Sequence, residues 1–452
     1  MEISISKVKQ RPLSLYKVAG FLTVLNAMRT HLVKFVILSG LLLPQSALFG
    51  QKFEPNYDES KIPPYTLPDP LVTAAGKRIT TARQWESERR PVLLKQFATQ
   101  VYGVTPERRL ATRYEVTAVD SAALGGTAIR KQISVHWTDY PNLPSLDILL
   151  YVPKKTKRPP VFVGLNYMGN HSITTEPGIT LSTRWLPNRS DGKVVNNRAT
   201  EAARGVQMSR WPLELIISKG YSVATAYYGD LEPDHPEGWK TGIRSVLGPP
   251  TDQKNDGWQA LGVWAWGMSR MLDYLETDGL VDAKRAIALG HSRQGKAALW
   301  AGAQDLRFAA IIANESGEGG AALSKRVFGE TIERVNTSFP YWFCLQYRTY
   351  NGRPEALPFD QHELLALIAP RPLYVASAQG DQWADPKGEF LSARQTDPVY
   401  KLYGKKGIGT DHWPPIHTPV GETVHYHIRA GEHDVKRYDW EQFINFADQQ
   451  VK

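Results

Sequence analysis

Residues 286–300 read AIALGHSRQGKAALW, and this stretch decides the fold. An apolar run ends at Gly290, Ser292 follows two residues later, and a helical pattern rich in Ala and Leu then begins. Strand, tight turn and helix in this order predict a nucleophile elbow, which exposes a serine hydroxyl at the end of a sheet. The N–H groups at the start of the following helix are suited to receive an oxyanion. The stretch is compatible with a serine hydrolase.

The elbow departs from the usual Gly-x-Ser-x-Gly pattern, because its second glycine comes one residue late, at Gly295. A simpler interpretation is an ordinary strand-to-helix turn in which Ser292 caps the helix. The elbow alone does not separate the two interpretations, so the rest of the chain has to decide between them.

The composition predicts a globular protein with a sizeable core. The 452 residues are 42% hydrophobic, which is enough for one large α/β domain with insertions or two modest domains. Five of the nine net positive charges fall in residues 1–50, and the rest of the chain has no basic run of the kind that nucleic-acid binding needs. Cys344 is the only cysteine, so no intramolecular disulfide forms, and we expect it to be a buried apolar residue.

The N-terminus has the features of an export signal. Lys34 precedes the apolar stretch 35–43, which is too short to span a bilayer comfortably, and Pro44 ends it. We predict that residues 1–50 are a leader, with Met28 as an alternative start, and that the mature protein is periplasmic or secreted and free of the membrane. The remainder is predicted to be an extended segment over 51–80 and a single catalytic domain over 81–452.

Apolar strands and helices alternate through the predicted domain. This alternation favours an α/β-hydrolase fold, with a mostly parallel central sheet flanked by helices in a three-layer sandwich. The strands are predicted at 133–137, 146–153, 160–166, 221–227, 286–290, 308–314, 371–377 and 424–429. The helices are predicted near 212–219, at 257–277, after the elbow, and near 440–449.

Candidate partners for the serine lie where later strands end. A serine hydroxyl needs a base, and the base needs an orienting acid, in the chain order Ser, acid, His. Glu315 follows strand 308–314, Asp381 follows strand 371–377, and His433 follows strand 424–429. His433 therefore stands where the base is expected. Four other histidines are close in sequence, but their spacing fits no simple helical metal motif, and no metal or other cofactor is predicted; they are His412, His417, His425 and His427.

These motifs together resemble the glucuronoyl esterases, carbohydrate esterase family fifteen. The likeness runs over roughly residues 80–450. It is carried by the elbow 290–296 and by the stretches 314–317, 319–323, 328–330, 381–386 and 429–440. The resemblance implies a carboxylic ester hydrolase that cleaves esters between a glucuronic acid carboxyl group and an alcohol, as in links between (4-O-methyl)glucuronoxylan and lignin.

The resemblance also implies roles for individual residues. Ser292 would be the nucleophile, His433 the base and Glu315 the acid. Arg293 would stabilise the oxyanion, and a guanidinium beside the serine is physically suited to do so. The residues implied to hold the uronate sugar are Lys296, Glu330 and Trp383. Lys296 lies one helical turn past Ser292, so both side chains are expected to face one pocket.

Three points remain open at this level. Some members of the family use the acid after the later strand, so Asp381 is an alternative catalytic acid. Of the two, we prefer Glu315. Glu318 stands where the family usually has a small residue or Cys, and it either alters the charge of the pocket or faces solvent. With one cysteine, the chain resembles the bacterial branch of the family, and we expect a monomer.

Two other functions are compatible with parts of the pattern. An acetyl xylan esterase, or another carbohydrate deacetylase, would use the same triad but would gain nothing from a lysine that binds uronate. A non-catalytic carbohydrate-binding protein on a hydrolase scaffold would not need an intact serine, histidine and acid. Comparing hydrolysis of acetyl esters and glucuronate esters distinguishes a deacetylase from a glucuronoyl esterase. A covalent probe for reactive serines distinguishes a binding protein from an enzyme.

Overall fold

The fold is built around the strand that leads into the elbow. The structure is a computed structural model that describes residues 53–248 and 254–452. Within it, Glu54–Lys452 form one unit. The predicted leader over 1–50, with its alternative start at Met28, lies outside the described residues, and so do the first two residues of the predicted segment 51–80.

The strands agree with the predicted ones to within a few residues, apart from those that the sequence did not indicate. They are β1 (Thr112–Ala122), β2 (Ala128–Trp137), β3 (Leu146–Pro153), β4 (Val161–Asn166), β5 (Val194–Val195), β6 (Arg198–Ala199), β7 (Ser222–Tyr227), β8 (Ala286–His291), β9 (Ala310–Asn314), β10 (Leu373–Ala378), β11 (Val420–Gly421) and β12 (Val424–Arg429). The sequence does not indicate strand β1, because this strand pairs along one edge only and all of its residues are exposed or half-buried. Such a strand has a weak hydrophobic signal.

The main sheet has the strand order β1-β2-β3-β7-β4-β8-β9-β10-β12-β11. Its centre, from β7 to β12, is parallel. The pairs β1–β2, β2–β3, β3–β7 and β11–β12 are antiparallel. The predicted mostly parallel sheet is therefore confirmed for the centre, with antiparallel strands at both edges. The parallel strands end at one edge, where the loops that carry functional residues meet.

Helices cover both faces of this sheet. The α-helices are α1 (Ala82–Gln84), α2 (Arg90–Phe97), α3 (Ala123–Gly126), α4 (Leu213–Ser218), α5 (Ala260–Leu275), α6 (Arg293–Gln304), α7 (Ile332–Ser338), α8 (Gln361–Ala366), α9 (Pro386–Arg394), α10 (Asp397–Leu402) and α11 (Arg437–Gln450). Side chains of α5, α6 and α8 join one core cluster, and side chains of α4 and α11 join the other. This arrangement is the predicted three-layer sandwich.

Strand β8 shows why these residues form a central strand. Ala286 and Ala288 belong to the core cluster on one face, whereas Ile287 and Leu289 belong to the cluster on the other face. Side chains of a strand alternate between faces, so a strand covered on both sides has to be apolar throughout. All six residues of β8 are buried. The two layers of helices thereby hold the end of β8, and the serine after it, in a fixed position.

The described residues confirm the expected burial of the single cysteine. Cys344 is fully buried, as predicted, and burial raises the pKa of its thiol to about 11. Among residues 53–248 and 254–452, no helix combines the length and apolar character that a bilayer span requires.

Candidate active site

Ser292 occupies a strained turn between β8 and α6. Its backbone dihedral angles are φ 54° and ψ −129°, a region that non-glycine residues rarely adopt. The Ser292 N–H donates to the Asn314 carbonyl at 2.8 Å, and the Ser292 carbonyl accepts from the Gly295 N–H at 2.8 Å. The turn is therefore fixed by β9 on one side and by the first turn of α6 on the other.

The late second glycine has a steric explanation. A Cβ atom on Gly290 would lie 1.9 Å from the Gln294 carbonyl oxygen, and one on Gly295 would lie 3.0 Å from the Ser316 Cβ atom and 3.2 Å from the Gly290 carbonyl oxygen. The tight turn brings the strand, the helix and the loop after β9 too close together for side chains at these two positions. The departure from the usual spacing thus preserves the elbow.

His433, in the loop after β12, contacts two carboxylates. Its Nδ1 atom lies 2.6 Å from Asp381 Oδ2 and 3.1 Å from Glu315 Oε2. Asp381 and Glu315 are buried, whereas 40% of the His433 side chain is exposed. The structure therefore brings both candidate acids to the same nitrogen of the candidate base, with Asp381 closer. The preference for Glu315 is not decided by this geometry.

Glu315 is held by partners that Asp381 does not share. Its Oε1 atom accepts from Arg429 Nη2 at 2.5 Å, and its Oε2 atom accepts from the backbone N–H of Asp434 at 3.1 Å. Arg429 also pairs with the buried Asp439, at 2.8 Å. Glu315 thus belongs to a buried ionic network that joins β9, β12 and α11, in addition to its contact with His433.

Charges around His433 favour its protonated form. Burial lowers the pKa of His433, but hydrogen bonds to Asp381 and Glu315 and their negative charges outweigh this effect and raise the pKa to about 9. Burial raises the pKa of Glu315 to about 7, against the opposing effects of His433 and Arg429. The two carboxylates are thus arranged to stabilise an imidazolium ion.

Arg293 follows Ser292 directly, and its guanidinium group lies among aromatic rings. It pairs with Asp234, whose side chain is 5% exposed, and lies 4.6 Å from the centre of the Trp342 ring and 5.5 Å from that of Phe339. Asp234 also accepts hydrogen bonds from the Tyr341 hydroxyl at 2.9 Å and the Trp342 indole N–H at 2.8 Å. The side chain of Arg293, which is 27% exposed, is therefore fixed beside the serine and keeps one face open to the cleft.

Ser292, Arg293 and His433 line one cleft of about 470 Å³. The opposite walls come from the long connections after β4 and β7. These wall residues include Tyr167, Met168, Leu186, Arg189, Gln207, Arg210, Tyr228 and Asp234. Such a cleft, with polar groups converging on a mostly fixed wall, is typical of a small-molecule or carbohydrate site.

Lys296, Glu330 and Trp383 come together behind the loop after β9. The Lys296 ammonium group, on a side chain only 4% exposed, donates to the carbonyl oxygens of Ser316 at 2.8 Å and Glu318 at 2.5 Å, and lies 3.3 Å from Glu330 Oε2. The Glu330 N–H donates to the Trp383 carbonyl at 2.9 Å. Lys296 is thus a buried cation held by the loop after β9 and by Glu330, rather than an exposed cation beside Ser292.

Of the two alternatives for Glu318, exposure to solvent is excluded, because the residue is buried. It is 2% exposed, and its carboxylate accepts hydrogen bonds from the Ser324 hydroxyl at 2.8 Å and from the Tyr347 hydroxyl. Burial raises its pKa to about 7. The sequence could not show this, because the polar partners of Glu318 lie 6 and 29 residues further along the chain.

One group of side chains has the geometry of a metal site. Single ligand atoms of His291, Glu315 and His433 lie within 4.8 Å of one another. The Glu315 carboxylate is already paired with Arg429, and burial with the charges of His433 and of nearby arginines holds the pKa of His291 well below its usual value. The arginines near His291, and the pairing of Glu315 with Arg429, oppose cation binding at this group. The absence of a metal remains a prediction.

Several residues of the site were not indicated by the sequence reasoning. Asp234 forms an ion pair with Arg293. Arg210 pairs with Asp434, and Arg429 pairs with Glu315. Asp234 lies shortly after β7, at the sheet edge where functional residues collect, and this position is the signal that could have found it. Arg210 belongs to an irregular connection and carries no comparable signal.

A strained serine elbow, a histidine held by carboxylates and a cleft at the carboxyl ends of parallel strands define the class, an ester hydrolase of the α/β-hydrolase fold. Residues 253–404 match the family model described as glucuronyl esterase, fungi. A carbohydrate esterase from an unknown prokaryotic organism is 43% identical over 422 residues, which cover 92% of this chain and 97% of that protein.

Solved structures agree with this match. The glucuronoyl esterase from Solibacter usitatus is 49% identical, with a TM-score of 0.82, over 87% of this chain and all of that chain. A promiscuous CE15 esterase from the marine bacterial metagenome is 44% identical, with a TM-score of 0.82, over 88% of this chain and all of that chain. The chain belongs to the glucuronoyl esterase family, carbohydrate esterase family 15, and the resemblance seen in its motifs is confirmed.

Proposed function

We propose that this protein hydrolyses esters of glucuronic acid, including its 4-O-methyl form, in which the alcohol belongs to lignin or a related compound. The single observation that carries the proposal is the cleft that Ser292 shares with Arg293 and His433, with the His433 Nδ1 atom 2.6 Å from Asp381. Membership of the glucuronoyl esterase family supports the uronate as the acyl part of the substrate.

The first half of the reaction forms an acyl-enzyme. His433 takes the proton of the Ser292 hydroxyl, and the serine oxygen attacks the carbonyl carbon of the uronoyl ester. Negative charge then develops on the carbonyl oxygen. The guanidinium group of Arg293 and the N–H groups of the first turn of α6 are arranged to stabilise it. His433 returns the proton to the alcohol oxygen as the C–O bond breaks, and the alcohol leaves.

The second half releases the sugar acid. A water molecule loses a proton to His433 and attacks the same carbonyl carbon, and the bond to the Ser292 oxygen breaks. The serine regains its proton from His433, and free glucuronate leaves. In both halves Asp381 and Glu315 orient the imidazole ring and stabilise its charged form. No metal or organic cofactor takes part in these steps.

The group formed by Lys296, Glu330 and Trp383 is proposed to hold the uronate ring. Charged hydrogen-bond partners at fixed positions suit sugar hydroxyl groups, and the flat face of a tryptophan suits a pyranose ring. Lys296 acts here mainly by orienting the Glu330 carboxylate, which lies 3.3 Å from its ammonium group. We also propose export to the periplasm or the medium, on the basis of residues 1–50.

The test compares hydrolysis of benzyl glucuronate with that of 4-nitrophenyl acetate, for the wild type and Ser292→Ala. We expect strong, serine-dependent cleavage of the glucuronate ester. Cleavage of acetate without cleavage of glucuronate would favour the deacetylase alternative and contradict the proposed substrate. Full turnover by Ser292→Ala would contradict the mechanism.

A further inference from the structure

The loop after β9 lies over a buried glutamate that the mechanism above does not use. Glu389, on α9, is fully buried. Its Oε1 atom accepts hydrogen bonds from the backbone N–H of Ser316 at 2.8 Å, from that of Gly317 at 3.0 Å and from the Ser316 hydroxyl at 3.1 Å. Its Oε2 atom accepts from the Ser377 hydroxyl at 2.6 Å.

The backbone of the loop is shaped to receive this carboxylate. Glu315 has a φ angle of 47° and Gly317 one of 57°. Positive φ angles at these positions turn two successive N–H groups inward, and such a pair forms a concave binding site for an anion. A glutamate side chain fills that site here. The unusual backbone angle of Glu315, the residue that reaches His433, is therefore stabilised by contacts that lie directly beneath it.

Glu389 also connects the two carboxylates at His433. Ser316 follows Glu315 on the loop after β9, whereas Ser377 lies near the end of β10, four residues before Asp381. One side chain thus fixes the ends of two neighbouring strands relative to each other. On this basis, and resting on the proposed function, we propose that Glu389 is a positioning residue that sets the distances of Glu315 and Asp381 from His433.

The chemistry around Glu389 predicts which replacements are tolerated. Burial and the charges of Asp381 and Glu315 raise its pKa to about 8, against the hydrogen bonds from Ser377 and Gly317. The Tyr426 hydroxyl is a further titratable group that interacts with it. A neutral carboxyl group still accepts the loop N–H groups through Oε1 and donates its proton to Ser377. Glutamine reproduces this pattern, because its amide nitrogen donates where the acid proton did.

The experiment compares Glu389→Gln with Glu389→Ala, using benzyl glucuronate. We expect Glu389→Gln to keep turnover near neutral pH within about fivefold. Glu389→Ala is expected to lower kcat by roughly 30-fold or more with little change in KM, because a misaligned base forfeits part of the rate that general base catalysis supplies. It should also lower the pKa of His433, measured by NMR titration of the imidazole, since the carboxylates no longer hold its Nδ1 atom.

A second buried glutamate provides the matched control. Glu363 is also fully buried, but it pairs with Arg89, at 2.5 Å, away from the cleft. Glu363→Ala should lower stability and leave both kcat per folded molecule and the pKa of His433 unchanged. If Glu389→Ala does not fold, Ser377→Ala removes one contact of Glu389 and should lower kcat and the pKa of His433 in the same direction.

The outcomes separate this inference from the proposed function. A wild-type protein without activity on the glucuronate ester would contradict the function itself, while the NMR titration would still report on the position of His433. An active wild type, together with a folded Glu389→Ala that keeps its kcat and its His433 pKa, would overturn the positioning role alone. An unchanged Ser377→Ala, in a protein whose Glu389→Ala fails to fold, would overturn it too.

Discussion

Asp381 lies closer to the imidazole of His433 than any other acid in the described parts of the chain, with 2.6 Å between its Oδ2 atom and Nδ1. Both acids contact His433, but Glu315 also accepts hydrogen bonds from Arg429 and from the backbone N–H of Asp434. From this difference we predict that Asp381 contributes more than Glu315 to the orientation of the base, and that Glu315 supports it from the buried network.

Removing the two acids separately tests this division. We expect Asp381→Asn to lower kcat by about 10- to 100-fold and Glu315→Gln by less, because one carboxylate remains at Nδ1 in each variant. The double variant should approach the loss of roughly 10⁴ that follows removal of a single triad acid elsewhere. The measurement is kcat on benzyl glucuronate. A larger loss for Glu315→Gln than for Asp381→Asn would restore Glu315 as the main acid.

The pH profile should respond to the same replacement. The carboxylates raise the pKa of His433 to about 9, so the basic form of His433 that catalysis needs appears only as the pH rises well above the ordinary value for histidine. Asp381→Asn removes one negative charge, destabilises the imidazolium and should move the acid limb of kcat/KM to lower pH by roughly one unit. A limb that stays in place, or moves to higher pH, contradicts the assignment of His433.

Arg293 should contribute to the rate rather than to binding. Arg293→Ala is expected to lower kcat by about 10²- to 10³-fold, the usual effect of losing one oxyanion donor. Asp234→Asn should have a smaller effect in the same direction, because it frees the guanidinium from its position. Arg285→Ala, near the opposite end of β8, is the control and should not change kcat. Equal kcat values for Arg293→Ala and the control would exclude the role.

Glu330 should determine selectivity between esters. Glu330→Gln keeps the size of the side chain but weakens a charged hydrogen bond, so KM for a glucuronate ester should rise by roughly 10-fold. Hydrolysis of 4-nitrophenyl acetate, which has no sugar, should be unaffected. Glu333→Gln, on the exposed side of α7, serves as the control. A parallel loss on both substrates would mean that Glu330 acts on the structure of the site and not on the sugar.

A buried histidine should make the protein sensitive to acid. Burial lowers the pKa of His362 to about 4. The unfolded chain takes up this proton below pH 6.5, whereas the folded protein does not until the pH approaches 4, so stability is present above 6.5 and is lost as the pH falls. The loss amounts to roughly 1.4 kcal/mol per pH unit in this interval.

Urea unfolding at pH 7.0 and pH 5.0 measures this effect. His362→Gln keeps a donor for the Pro68 carbonyl, which lies 2.9 Å from the His362 Nε2 atom, and it should lose less stability between the two pH values than the wild type does. His412→Gln, at an exposed position, should behave as the wild type. An equal loss in all three proteins would show that other groups cause the acid sensitivity.

The sequence by itself determined the central architecture and indicated Ser292, the two candidate acids and His433 as members of the candidate site. Apolar runs such as 286–290 predict buried central strands, and the order of Ser292, the acids and His433 follows the order of strand ends. These features are local: a strand's periodicity, a turn's glycines and the position of a polar residue after a strand are all visible along the chain.

The tertiary structure alone decided how those residues meet. Three features depend on contacts between residues tens of positions apart or more. Both Asp381 and Glu315 lie at one nitrogen of His433. Asp234 fixes Arg293, and Glu389 supports the loop after β9. Glu318, for which exposure to solvent was one of two alternatives, is buried, and so is Lys296. The spacing of a helix or a strand gives the direction of a side chain only to within a face, whereas hydrogen bonds form over tenths of an ångström, and that precision comes from packing on both sides of the sheet.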